Sequence, residues 1–351
     1  MRRIFAWLFA VGMAFSLAGC ASSGTGGTSA SSGAETAQTA QLFAMDTVMN
    51  LSAYGNGAKT ALENSEAEIT RLEDLLSRTK STSEVSAINR NSDRAVKVSA
   101  ETAELIQKAL HYSAVTDGAF DITIAPVVSA WGFTTAKYQI PSAAELAGLM
   151  KKVDYTRVSV SGNTVTTGPG QSIDLGGIAK GYASDRIASI YKKAGVASGI
   201  IYLGGNVWVR GKKPDGSNWR VAVQDPNDTD KYVGILKLSD AFAITSGGYQ
   251  RYFKKNGKCY HHIIDPATGA PAESGLISAT IVSSDNGTMC DALSTAVFVM
   301  GEKKGLELWR NSGLHFDMIL VTSGGKVLIT KGIASRFEKE TGSAYEYEVV
   351  R

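Results

Sequence analysis

Carboxylates, hydroxyls and a lysine set among small residues form the chemically loaded stretches of this chain. Thr288-Met-Cys-Asp291-Ala-Leu-Ser294-Thr295-Ala reads as a helix start, and Asp291 and Thr295 stand one turn apart, so their oxygens project from one face. Such a pair can hold a hard cation. Magnesium takes one or two carboxylates, keeps several waters and accepts phosphate oxygens as its remaining ligands. The same aspartate reads equally as a first-turn acid complementing the helix dipole, with Thr295 bonded to its own backbone. Asp174-Leu-Gly-Gly-Ile-Ala-Lys180-Gly-Tyr-Ala follows a turn rich in Gly and Pro and leads into a helix. Its two glycines let backbone groups approach a ligand closely, and a helix N-terminus favours an anion. The segment therefore suits a diphosphate, although it has neither the Walker spacing nor the dinucleotide-fold spacing.

Tyr260-His261-His262-Ile-Ile-Asp265-Pro-Ala-Thr268-Gly269 brings histidine and acid into one turn-rich stretch, and a histidine near a carboxylate can act as a base near neutral pH. Adjacent histidines raise zinc, but an extended backbone sends them to opposite sides and the chain has no helical H-x-x-x-H, so zinc is not expected. Asp265-Pro266 reads equally as turn chemistry. Thr116-Asp-Gly-Ala119-Phe120-Asp121-Ile-Thr-Ile-Ala-Pro126 ends a helix at Gly118 and enters an extended run, leaving Asp121 free to accept hydrogen bonds from a ligand. Thr245-Ser246-Gly-Gly-Tyr-Gln-Arg251 is a polar turn followed by an arginine able to meet a phosphate or to cap a strand edge.

The elements that must position these residues follow from periodicity. Residues 43 to 54 alternate as a strand. Lys59 to Leu76 places Leu62, Ile69, Leu72 and Leu76 on one helical face, and a second helix fits Ser99 to Val115, with Ser99 as N-cap and Thr102, Leu105, Ile106 and Ala109 inward. Strands are expected at 158 to 166 and 200 to 202, with β-rich runs at 207 to 224, 232 to 238 and 279 to 283. Helices at 180 to 194 and 288 to 300 interrupt them, each followed by a glycine, Gly195 or Gly301. Strands and helices do not alternate regularly, so the fold class is α+β with a mixed sheet and packed helices.

Arg2 and Arg3 precede an apolar run, Ile4 to Phe15, too short to span a bilayer comfortably. The run ends in Leu17-Ala18-Gly19-Cys20, which resembles the lipobox of bacterial lipoproteins, where the cysteine is acylated and the chain is cut before it. Residues 1–19 then form a lipoprotein signal peptide, and 20–40 the lipidated Cys20 with a flexible tether of Ala, Ser, Gly and Thr. Residues 41–351 form the functional domain. The protein is expected outside the cytoplasm, anchored by lipid to a bacterial membrane. A formal charge of +3 over 351 residues leaves no electrostatic footprint for nucleic acid. Cys259 and Cys290 are the remaining cysteines, and a disulfide between them stays open at this level.

In this order the segments resemble the FAD:protein FMN transferase family, the ApbE or flavin-trafficking proteins. The match runs through Phe43 to Thr47, Ser77 to Asn89, Asp117 to Phe133, Asp174 to Asp185, Leu203 to Asn206, Thr245 to Tyr252, His262 to Pro271 and Asp291 to Gly301. The resemblance implies an enzyme that uses FAD as substrate and transfers its FMN half to a Ser or Thr hydroxyl of an acceptor protein. AMP is released, and Mg²⁺ is the cofactor. It implies FAD contacts at Met45, Thr79, Ala119, Phe120, Asp121, Asp174, Lys180 and Ile263. The implied magnesium ligands are the carbonyl of Gly177 with Asp291 and Thr295. The implied proton acceptor is His262, oriented by Asp265, with Asp291 or a metal-bound water able to share that role and Lys180 also catalytic. Some members carry an acid where this chain has Ser294, which leaves a second metal open. The implied acceptor is an extracytoplasmic subunit of a membrane redox complex. The alternatives are an FAD pyrophosphatase giving FMN and AMP, and a flavin-binding lipoprotein without catalysis.

Overall fold

Strands buried on both faces mark the centre of the molecule. The computed structural model describes residues 36–351; the signal run, Cys20 and the tether up to residue 35 lie outside them. Numbered in chain order, the main sheet runs β1 (Gln38–Ala44), β2 (Thr47–Tyr54), β6 (Ser198–Leu203), β7 (Asn206–Arg210), β10 (Ala241–Gly247), β13 (Leu276–Ser283), β14 (Asp317–Thr322), β15 (Lys326–Thr330) and β17 (Glu346–Val350). Its pairings are antiparallel except β15 with β17, which makes the sheet mixed as expected. Three small sheets surround it: β16 (Phe337–Lys339) with β9 (Tyr232–Leu238) and β8 (Trp219–Gln224); β3 (Val96–Lys97) with β5 (Thr164–Thr166) and β4 (Ser159–Ser161); and the ribbon β11 (Tyr252–Lys255) with β12 (Lys258–His261).

Helices cover one face of the main sheet. α1 (Ala58–Leu76) buries Ala61, Leu62, Ser65, Ile69, Leu72 and Leu76, the spacing of a single helical stripe. α2 (Glu84–Arg90) and α3 (Ala100–Val115) follow, and the Ser99 hydroxyl caps α3 by accepting the Thr102 N–H, as the sequence predicts. α4 (Ala125–Ala130) and α5 (Ala143–Met150) pack beside the ribbon around Val127, Trp131, Phe133 and Ile264. α6 (Ala179–Lys193) and α7 (Gly287–Asn311) are the elements that carry the Gly-Gly and Asp291 segments. Leu51, Leu72, Ile106, Ile187, Leu293 and Phe298 knit this layer to the sheet, while Val209, Val221, Leu236 and Ile319 form a second apolar layer on the opposite face.

Several expected elements are subdivided. The strand expected over 43 to 54 is the hairpin β1–β2. Met45 and Asp46 adopt φ of 48° and 65°, the two left-handed residues that a tight hairpin turn needs. β1 also begins at Gln38, three residues inside the segment read as tether. Residues 158 to 166 fold as the hairpin β4–β5 around Gly162, whose φ is +55°. The run after Gly118 is not extended: Asp121 caps a 3-10 turn, Ile122–Ile124, and Pro126 opens α4. Gly301 breaks helical geometry at φ +80°, yet the chain resumes a helix to Asn311, so this glycine makes a kink rather than an end. Both cysteines are free, because Cys259 is exposed on the ribbon while Cys290 lies buried inside α7.

Candidate active site

The N-terminal end of α6 meets the first turns of α7, and the close crossing is set by glycine. A Cβ at Gly181 would lie 2.3 Å from the Gly287 carbonyl oxygen and 2.6 Å from the Asp291 Cβ. With hydrogen in its place, the Gly181 N–H donates to Asp291 Oδ2 at 2.7 Å. The side chain of α6's own N-cap position, Ile178, makes no capping bond, so Asp291 supplies the negative group that this helix end favours. Asp291 therefore complements the dipole of the neighbouring helix, not of its own. The start of α7 is held from α6 in turn. Asp185 accepts the N–H groups of Gly287 (2.7 Å) and Thr288 (2.9 Å) and the Thr288 hydroxyl, and burial raises its pKa.

Asp291 is 4% exposed and forms no ion pair among the described residues. Thr295 lies one turn on, its hydroxyl 3.3 Å from that of Ser246, and a Cβ at Gly177 would come within 3.5 Å of the same hydroxyl. The Gly177 backbone, the Asp291 carboxylate and the Thr295 hydroxyl thus form a cluster of hard oxygen donors. An enclosed carboxylate without a cationic partner is costly, and a small divalent ion completed by water and phosphate oxygens fits this set. Ser294 is buried and bonded to Ser246 (2.8 Å) and to the Asp291 carbonyl (2.9 Å). No group of three or more His, Cys, Asp or Glu residues suited to a metal occurs among the described residues.

These donors line a cavity of about 480 Å³, and the sequence-predicted FAD contacts line it with them. Met45 enters from the β1–β2 turn, its N–H bonded to Glu73 Oε1 at 2.7 Å. Thr79 comes from the α1–α2 connection, Ala119, Phe120 and Asp121 from the end of α3, Asp174 and Lys180 from the approach to α6, and Ile263 from beyond β12. Lys180 folds back over the Gly-Gly turn, with Nζ 3.4 Å from the Gly176 carbonyl. The turn of Gly204 and Gly205 adds another wall; a Cβ at Gly204 would come 2.3 Å from the Thr47 hydroxyl. A more open groove of about 700 Å³, beside Asp240, Arg310 and His315, contains none of the motif residues.

Two expectations change in detail. Asp121 lines the cavity, but its carboxylate is engaged inside the protein. Oδ1 accepts from the Thr123 N–H and hydroxyl, both at 2.7 Å, and Oδ2 from the Tyr155 N–H at 3.1 Å. Burial outweighs these bonds and raises its pKa. Asp265 does not orient His262, because its Oδ1 accepts the Ala267 N–H at 2.8 Å within its own turn. His262 Nδ1 instead lies 3.1 Å from the Arg251 carbonyl. A carbonyl only accepts, so Nδ1 carries the proton and Nε2 the lone pair. Burial pulls the His262 pKa down to about 4, which keeps the ring neutral at ordinary pH. His261 turns the other way, onto Phe298 and the Ala272 carbonyl, as strand geometry requires.

Two arginines give the cavity much of its charge. Arg78, which sequence reasoning did not single out, bonds Asp174 Oδ2 and the Ser129 hydroxyl, while Asp174 Oδ1 accepts the Gly176 N–H at 2.9 Å. Asp174 therefore fixes both the Gly-Gly turn and a guanidinium at the wall. Only the place of Arg78 inside the matched stretch from Ser77 to Asn89 could have pointed to it. Arg251 pairs with Asp46 at 2.5 Å between the hairpin turn and the approach to the ribbon.

The ApbE family model matches residues 45–320. A Haemophilus influenzae protein named FAD:protein FMN transferase is 30% identical over 357 residues, spanning 97% of this chain and 99% of that one. The crystal structure of the ApbE protein from Thermotoga maritima aligns with a TM-score of 0.81 at 32% identity, covering 87% of this chain and 100% of that chain. The apo form of the Pseudomonas stutzeri flavinyl transferase ApbE aligns with a TM-score of 0.73 at 29% identity, over 82% and 92% of the two chains.

Proposed function

The chain belongs to the ApbE family, and from that premise we propose how it works as an FAD:protein FMN transferase. A Ser or Thr hydroxyl of an acceptor protein attacks the FMN-side phosphorus of FAD, a phosphoester to FMN forms, and AMP leaves. The observation that carries this reading is the convergence on one cavity of a glycine turn at a helix N-terminus, a lysine, a neutral histidine and an oxygen cluster around a buried, unpaired carboxylate.

Gly177, Asp291 and Thr295 would hold a magnesium ion, which when bound neutralises charge building on the diphosphate and the departing AMP. Lys180 brings a positive charge to the same wall. His262 presents the unprotonated Nε2, with its ring fixed through Nδ1 by the Arg251 carbonyl, and accepts the hydroxyl proton. Asp174 and Arg78 hold the Gly-Gly turn in shape. Most of the acceleration in such a site comes from positioning and electrostatics.

Water in place of the acceptor hydroxyl would make the same cavity an FAD pyrophosphatase, and exclusion of water by the docked acceptor separates the two outcomes. Incubation with FAD, Mg²⁺ and an envelope fraction decides between them. Flavin fluorescence that persists on a denatured protein band supports transfer; free FMN with no labelled band points to hydrolysis. FAD bound without any AMP release supports a carrier.

The acceptor we propose is an extracytoplasmic subunit of a membrane redox complex, reached by an enzyme tethered through an acylated Cys20. The lipobox-like Leu17 to Cys20 run motivates this placement. Labelled palmitate should enter the wild-type chain and be absent from Cys20→Ala, with that variant released from the membrane fraction; equal labelling of both would remove the anchor from the account.

A further inference from the structure

The two ends of the main sheet are guarded differently. β17 carries Glu346 and Glu348 among its five residues, charges of the kind that keep a sheet edge from pairing with another chain. β1, at the other end, reads Gln-Thr-Ala-Gln-Leu-Phe-Ala, without charge or proline, and its register with β2 is unbroken from Gln38 to Ala44. Among the described residues no strand pairs with its outer side. A two-residue turn closes on a hydrogen-bonded Ala44–Thr47 pair, so alternation leaves the N–H and C=O groups of Thr39, Gln41 and Phe43 facing the open edge.

The sheet face beside this edge is bare as well. Phe43 stands opposite Val48 and Asn50 opposite Tyr202; Phe43, Val48 and Tyr202 are 70%, 47% and 45% exposed. The β8–β9–β16 sheet covers this face farther along, but these three residues lie outside its apolar cluster. The patch is continuous with the active site, because Phe43 lines the cavity together with Met45 and Asp46.

We infer that the acceptor polypeptide docks here, as an extended strand added to the free edge of β1. Its main chain bonds Thr39, Gln41 and Phe43, its apolar side chains rest on Phe43, Val48 and Tyr202, and its hydroxyl residue arrives beside the Met45–Asp46 turn. The inference rests on the transfer reading above. That reading requires a foreign chain to reach this cavity, and strand addition gives affinity through the main chain while alternate side chains supply specificity. The uncharged edge carries an exposed apolar surface that begins at the cavity wall.

Gln41→Pro tests this directly. It removes an outward N–H but leaves the inward ladder of Ala40 and Leu42, and Gln41 is exposed and not part of the cavity wall. The probe is a synthetic peptide around the flavin-bearing Ser or Thr of the envelope band labelled by the wild-type enzyme. KM for the peptide should rise at least about tenfold in Gln41→Pro, with kcat and peptide-free FAD hydrolysis unchanged and Gln41→Ala like wild type. A wild-type KM in the proline variant overturns the inference. If the proline lowers thermal stability, a photo-crosslinker at Thr39 replaces it: a crosslink to the peptide supports the docking, and crosslinks only to a second copy or to residues 20–37 overturn it. Failure of the wild-type enzyme to label any protein would sink the transfer reading instead, so the two failures are distinguishable.

Discussion

Asp291 and His262 carry most of the chemical argument at the scale of single residues. Asp291 is enclosed, bonded to one amide and without a lysine or arginine partner among the described residues, so under the proposed mechanism its charge would be balanced by the magnesium ion. Asp291→Ala should lower AMP release at least about 100-fold, or about 2.7 kcal/mol, while part of the FAD binding survives. AMP release at the wild-type rate would show that the metal cluster has been misassigned. His262 must be neutral to accept a proton, and burial lowers its pKa to about 4. Transfer should therefore be level near neutral pH and fall only as pH drops through about 4; an acid limb centred near 6.5 that disappears in His262→Gln would contradict this environment. The residue types were legible in the sequence. Their partners were not: Asp121 is consumed by Thr123 and Tyr155, and His262 takes its orientation from the Arg251 backbone, because a tertiary contact chose between acceptors that local sequence leaves equivalent.

Between elements, the α6–α7 crossing is the joint that makes the site. Asp291 reaches from α7 to the start of α6, and Asp185 reaches from α6 to the start of α7, so each helix end is satisfied by the other helix. Gly181 permits that approach. Gly181→Ala would set a methyl against the Gly287 carbonyl and should cost about 1–3 kcal/mol, read as a lower Tm together with weaker FAD cleavage. An unchanged Tm would mean that the helices can part without penalty. Helical periodicity revealed α1 and α3 to within a residue or two, since each buries one clear stripe. It did not reveal the β1–β2 hairpin, because alternation continues through a two-residue turn and Met45-Asp46 is not a usual turn pair, whereas Gly162-Asn163 between β4 and β5 is one that the sequence displays. The Cys259–Cys290 question was equally beyond sequence, since it turned on which side of the ribbon and helix each thiol occupies.

For the whole molecule, the mixed sheet gathers segments far apart in the chain into one wall. β2, β6, β7 and β10 bring the Met45 and Gly204 turns and the strand residue Ser246 to the same end, and α6 and α7 close the cavity from the helical side. The order of the motifs announced the family, but not that wall: no local pattern encodes the crossover from β2 to β6 or the passage of Arg78 to Asp174. The central claim is that this cavity joins FMN to another protein's hydroxyl and expels AMP. Mass spectrometry of the labelled acceptor, with AMP counted in parallel, tests it most directly. The account predicts a Mg²⁺-dependent mass increase equal to FMN less water on one Ser or Thr, with one AMP per adduct and neither product from Asp291→Ala. AMP and free FMN in equal amounts, with the acceptor mass unchanged, would contradict it.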